Sequence, residues 1–120
     1  MNKKTVVLGA SLKPHRYSNL AIHRLVKHKH EVVAIGLREG KVVGVPIVKG
    51  KPVIKNVDTI TLYLNPRRQV ALYDYILGLN PKRIIFNPGT ENKELIELAQ
   101  AKGIQTEIAC TLVMLSIGDY

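Results

Sequence analysis

The chain has 120 residues and a mass of 13.4 kDa, the size of one domain and well below the ~250 residues at which a single core begins to divide. Hydrophobic residues make up 46% and charged residues 22%, a globular balance that excludes disordered, collagenous and coiled-coil readings. The net charge of +9 is uneven: residues 1 to 60 hold 12 bases and 3 acids, whereas residues 61 to 120 hold 6 of each. An anionic partner is expected for the N-terminal half, and charge alone leaves nucleic acid, an anionic membrane surface and a phosphorylated small molecule open.

Cys110 is the only cysteine, so no intrachain disulfide or multi-cysteine zinc site is possible, in keeping with a reducing cytoplasm. The apolar stretch Thr5 to Ala10 after the basic start is shorter than the ~7–15 residues of a signal-peptide core. No apolar run approaches the ~18 residues of a membrane span. A soluble, cytoplasmic protein is expected, with no membrane partner.

Thr5-Val-Val-Leu-Gly has the pattern of a buried parallel strand ending at glycine. A loop follows to Tyr17. Ser18 or Asn19 is placed to cap a helix that buries Ala21, Ile22, Leu25 and Val26, turns His23, Arg24, Lys27 and His28 outward, and ends near Lys29. His30 is assigned to its solvated end. Glu31 to Gly36 is a second strand, and Leu37 to Lys51 is a connector with a short extended piece at Val42 to Val45. Thr59 to Leu64 is a third strand, stopped by Asn65-Pro66, which opens a helix with proline in its first turn and a buried stripe at Val70, Tyr73 and Leu77. Arg83 to Phe86 is a fourth strand. A turn from Asn87 to Asn92 leads into the helix Glu94 to Lys102, with Leu95, Leu98 and Ala99 inward and Gly103 as its C-terminal cap. Ile104 to Ile108 is a fifth strand, and Cys110 to Ile117 a short terminal helix or turn. Strands alternating with helices predict an α/β fold in three layers, helices on both faces of a doubly wound sheet of about five parallel strands, as one domain over residues 1–120.

In such sheets ligands bind outside the carboxyl ends of the strands. The residues there are Gly9 to Ser18, Gly36-Leu37-Arg38, Asn65-Pro66-Arg67-Arg68 and Asn87-Pro88-Gly89-Thr90. Gly9 permits a tight turn and close backbone approach, Ser11 offers a hydroxyl, Lys13 and Arg16 add charge, and the helix start offers free N–H groups to an anion. His15 stands in the same loop as a possible phosphate partner. The dinucleotide fingerprint is absent, because Ser11 and Pro14 stand where it requires glycines. No acid ends the second strand for a ribose; Gly36 sits there, followed by Arg38, which suits an extra phosphate better. A Walker A motif is also missing.

Gly9-Ala-Ser-x-Lys-Pro followed by Tyr17-Ser18, the Val43-Gly-Val-Pro46 connector, Asn65-Pro66 and Phe86-Asn-Pro-Gly-Thr-Glu91 resemble the small single-domain CoA-binding proteins. These are similar to the CoA-binding domain of the succinyl-CoA synthetase α-subunit. The resemblance covers nearly the whole chain and implies a Rossmann-like fold that binds coenzyme A or an acyl-CoA. It puts Gly9, Ala10, Ser11, Lys13, Pro14, Tyr17 and Ser18 on the phosphates, and Gly36, Arg38, Asn65, Pro66, Arg67, Asn87, Pro88 and Gly89 along the rest of the cofactor. Many relatives carry Asn-Pro after the second strand, where this chain has Gly36-Leu37. The synthetase's second domain, with its phosphorylated histidine, is expected to be missing, and its ligase activity with it.

A carrier, sensor or regulatory binder without catalysis of its own is therefore expected. An NADP-using or other nucleotide-binding enzyme or subunit is the alternative, and a nucleic-acid module the second. Nucleic acid is disfavoured by one Phe, no Trp and no recognisable binding motif. Lone cysteines in apolar runs such as that around Cys110 are usually buried and inert. No metal-ligand spacing is present. Glu91, Glu94 and Glu97 read as acids at a helix start. A homodimer is conceivable because the apolar C-terminus needs cover.

Overall fold

The computed structural model describes residues 2–120. Strands β1 (Thr5–Ala10), β2 (Val32–Gly36), β3 (Gly40–Val42), β4 (Val45–Val48), β5 (Thr59–Leu62), β6 (Arg83–Phe86) and β7 (Gln105–Ile108) form one sheet in the order β3-β4-β2-β1-β5-β6-β7. All neighbours are parallel except β3 and β4. The five expected strands are present, and the sheet is larger by the two strands of a hairpin drawn from the supposed connector. Its turn, Val43-Gly44, has left-handed φ values of 46° and 82°, the geometry of a two-residue hairpin turn, which favours Asn or Gly at the position Val43 holds. The β-branched residue there hides the signal.

Helices α1 (Tyr17–Lys27) and α5 (Thr111–Ser116) cover one face, and α2 (Pro66–Gln69), α3 (Tyr73–Gly78) and α4 (Lys93–Ala101) the other. The alternation of the strands divides the core accordingly. Val7 and Ala10 of β1 pack with Ile22, Leu25 and Leu115, whereas Val6 and Leu8 pack with Ile76, Leu95 and Ala99. This is the doubly wound, three-layer α/β arrangement that alternating strands and helices predict.

Three expectations need correction. The helix after Asn65-Pro66 is broken by a 3₁₀ turn at Val70–Leu72, which shifts its inward face: Gln69 and Ile76 are fully buried, while Val70 is 56% exposed. Leu98 of α4 is 40% exposed and does not join Leu95 and Ala99 in the core. Helix α1 is capped by neither Ser18 nor Asn19; both lie buried inside it, and Arg16 takes the cap position without a side-chain bond. The exposed, basic outer face of α1 and its buried Ala21, Ile22 and Leu25 are as the spacing predicts.

Candidate binding crevice

The chain winds from β1 outward to β2, then returns past β1 to β5 and on to β6. The point of reversal lies between β1 and β5, and in open α/β sheets ligands bind at such a point, outside the carboxyl ends of the strands. Two glycines stand at this end of the sheet. Gly9 has φ +99°, and a Cβ there would meet the Tyr63 backbone at 3.0 Å. At Gly36 a Cβ would lie 2.3 Å from the Ala10 carbonyl oxygen, where the β1–β2 register shifts between Leu8 and Ala10. Both glycines are thus demanded by the protein's own backbone.

Beyond Ala10 the loop is held by local bonds. Ser11 Oγ accepts from Lys13 N–H at 3.1 Å, and Arg16 N–H donates to Lys13 O at 3.1 Å. Buried Asn19 turns inward and donates from Nδ2 to Ser11 O at 2.9 Å, tying the first turn of α1 to the loop. That spends Asn19 on the loop, so no side chain satisfies the first N–H groups of α1. They remain available to an anion. Lys13, Pro14, His15, Arg16 and Tyr17 are exposed, as are Leu37, Arg38, Arg67 and Arg68. None of these bases is in an ion pair among the described residues.

The opposite wall is built differently. Asn65 caps α2, its Oδ1 accepting from Arg68 N–H at 3.0 Å. Fully buried Gln69 donates to Leu64 O at 2.7 Å and to Thr90 O at 2.9 Å, and accepts from Asn92 Nδ2 at 2.9 Å. Asn92 caps α4 through Leu95 N–H at 3.2 Å. Asn87 is buried, donating to Thr61 Oγ1 at 2.7 Å and Leu62 O at 2.8 Å and accepting from Thr111 N–H at 2.9 Å. Its amide is wholly engaged in the scaffold, so any ligand contact in this segment falls to Pro88 and Gly89, which are exposed. Glu91 lies before the α4 cap and accepts from Gly89 N–H at 2.8 Å. Beneath the crevice the Tyr63 hydroxyl is buried without a hydrogen-bond partner, and desolvation raises its pKa well above the ordinary tyrosine value. Thr61 and Thr111, its hydroxyl neighbours, bond each other at 2.8 Å.

The loops thus bring Gly9 to Ser18, Gly36, Arg38, Asn65 to Arg67 and Asn87 to Gly89 to one end of the sheet. The sequence reading missed Asn19, Gln69, Thr61, Thr111 and Asn92, which position these loops. Among the described residues no group of three or more His, Cys, Asp or Glu side chains could hold a metal, and no helix is long and apolar enough to cross a membrane.

A doubly wound sheet with glycines and exposed bases at its switch point is the architecture of the Rossmann-like class of domain. Residues 3–116 match the model of a family described as CoA binding domain, and the chain belongs to that family. A crystal structure described as that of an uncharacterized protein is 52% identical, covers 100% of this chain and 99% of its own, and superposes with a TM-score of 0.97. A Thermus thermophilus protein designated cell-free ID.343 shares 19% identity over 98% of this chain and 90% of its own, with a TM-score of 0.85. A hypothetical protein from Pyrococcus horikoshii OT3 shares 20% over 93% and 81%, with a TM-score of 0.80. The last two support the fold alone. No curated protein matches the chain.

Proposed function

We propose that the crevice binds coenzyme A or an acyl-CoA, and that the protein acts as a carrier, sensor or regulatory binder without catalysis of its own. The observation that carries the reading is the start of α1. Of the helices with eight or more residues, α4 is capped by Asn92 and α1 has no side-chain cap. Its free N–H groups instead adjoin exposed Lys13 and Arg16, the environment a pyrophosphate requires. The residues present suit the cofactor: its phosphates are multiply charged, and the crevice offers unpaired bases on both walls.

In this reading the backbone N–H groups of Gly9, Ala10 and Ser11, with Tyr17 and Ser18 at the helix start, hold the pyrophosphate. Lys13 and Arg38 neutralise phosphate charge, and Pro14 stiffens the loop. Asn65, Pro66 and Arg67 wall the pantetheine, and Pro88 and Gly89, positioned by Asn87, close its far side. The cofactor itself supplies a thiol or thioester. Calorimetry with CoA, NADP and a short DNA duplex at two salt concentrations tests the assignment. CoA is expected to bind and the others not. Heat from NADP with none from millimolar CoA, or tight duplex binding with a steep salt dependence, would overturn it.

A further inference from the structure

The pairing of β5 with β6 ends at Leu62 and Phe86, so the separation of the loops beyond it must be set by side chains. Asn87 acts at the level of the last paired residues, where it bonds Thr61 and Leu62. Gln69 acts further out. It is the last residue of α2 and fully buried. Its Nε2 gives one hydrogen bond to Leu64 O at 2.7 Å, in the loop after β5, and another to Thr90 O at 2.9 Å, in the loop after β6. Its Oε1 accepts from Asn92 Nδ2 at 2.9 Å. Asn92 is held in turn, because its Oδ1 accepts from Leu95 N–H at the start of α4 and its Nδ2 also donates to the Tyr73 hydroxyl at 2.9 Å.

A primary amide is costly to bury unless each of its polar atoms finds a partner. Here both N–H donors and the oxygen do. The position therefore requires a long side chain with two donors at its tip: leucine has comparable bulk but bonds nothing, and glutamate would set a carboxylate against two carbonyl oxygens. The two carbonyls that Gln69 gathers stand one residue before Asn65 and one residue after Gly89, the ends of the two segments that in the proposed function line the pantetheine.

We propose that Gln69 is a positioning residue for the pantetheine arm: it sets the gap between the loops after β5 and β6, and so governs affinity for that part of the cofactor while itself staying buried. This role rests on the binding of CoA proposed above. The phosphate end falls to the loop after β1 and the start of α1, which Ser11 and Asn19 fix through bonds of their own. Loss of the strut should therefore separate the two ends of the ligand.

The test compares, by calorimetry, CoA with adenosine 3′,5′-bisphosphate, which carries phosphates of the nucleotide end but no arm. Gln69→Leu should raise the Kd for CoA about tenfold and that for the bisphosphate less than twofold, a split that a general loosening of the fold would not give. In the unaltered protein the Gln69 side-chain amide protons should exchange slowly with solvent and shift on addition of CoA but not of the bisphosphate. These resonances decide the matter even where the substituted chain does not fold. Equal losses for the two ligands, a CoA affinity indifferent to Gln69→Leu, or amide resonances that answer the bisphosphate as they answer CoA would overturn this role and leave the CoA reading in place. Failure of the unaltered protein to bind millimolar CoA would instead remove that reading, and the role of Gln69 with it.

Discussion

On the β1–β2 side of the crevice, loops 9–16 and 37–39 carry their bases on exposed side chains, with only Asn19 reaching in to fix the backbone. On the β5–β6 side, Gln69, Asn87 and Asn92 are buried and make three or more hydrogen bonds each, joining the wall to α4 and α5. Exposed bases stand on both walls, Arg67 and Arg68 on the second; what differs is that the first wall is locally held and the second is wired into the core. The difference separates two tasks in the proposed function: bases on the first wall can be changed with little consequence for stability, while the buried amides of the second fix its shape.

Removing the wired wall should have the largest effect. Asn87→Ala leaves the Thr111 N–H and Leu62 carbonyl without their partner, and should cost about 3 kcal/mol, measured by urea denaturation with an unchanged m-value. Gly36→Ala tests the seam between the walls: its Cβ, 2.3 Å from the Ala10 carbonyl, forces the loop to shift and should cost about 2 kcal/mol while weakening CoA binding. On the locally held wall the effects should reverse. Lys13→Ala should raise the Kd for CoA five- to tenfold, roughly 1 kcal/mol, with stability unchanged within about 0.5 kcal/mol; Arg24→Gln on the outer face of α1 should do neither. Equal stability losses from Lys13→Ala and Asn87→Ala would erase the distinction.

The smallest effect concerns acid. The pKa of His30 is lowered, first by desolvation and then by the neighbouring His28, Lys3 and Arg83. The unfolded chain therefore binds a proton at a higher pH than the folded one, and stability should decline as pH falls below the ordinary histidine value of about 6.5. His30→Gln should flatten that decline in a series of thermal melts from pH 7 to pH 5.

The pattern of strands and helices was legible because buried parallel strands and amphipathic helices announce themselves locally. The hairpin was not, since Val43 takes a conformation normally signalled by Asn or Gly. Nor was the wired wall. Nothing in Asn65-Pro-Arg-Arg-Gln69 distinguishes a solvated glutamine from one whose partners, Thr90 and Asn92, stand 21 and 23 residues further on. His30 reads in the sequence as a solvated helix end, because Lys3 and Tyr120, which pack on it, come from the far ends of the sequence. The crevice residues were found by topology, which places strand tips together whatever the intervening partners. The +9 is spread over several places: Lys13, Arg16 and Arg38 are exposed in the loops after β1 and β2, Lys3 lies at the amino-terminal end of the sheet, and the exposed Arg24 and Lys27 on α1 are in no ion pair among the described residues.

The sheet's two open margins are short. Strand β3 offers three residues, including Gly40 and exposed Lys41, and β7 offers four, with Glu107 held by Arg83. Pro46, without an N–H, marks where β4 has not yet joined β2. Such margins are poor templates for another chain's strand. Short margins of this kind guard a highly β-branched, seven-stranded protein against edge-to-edge aggregation.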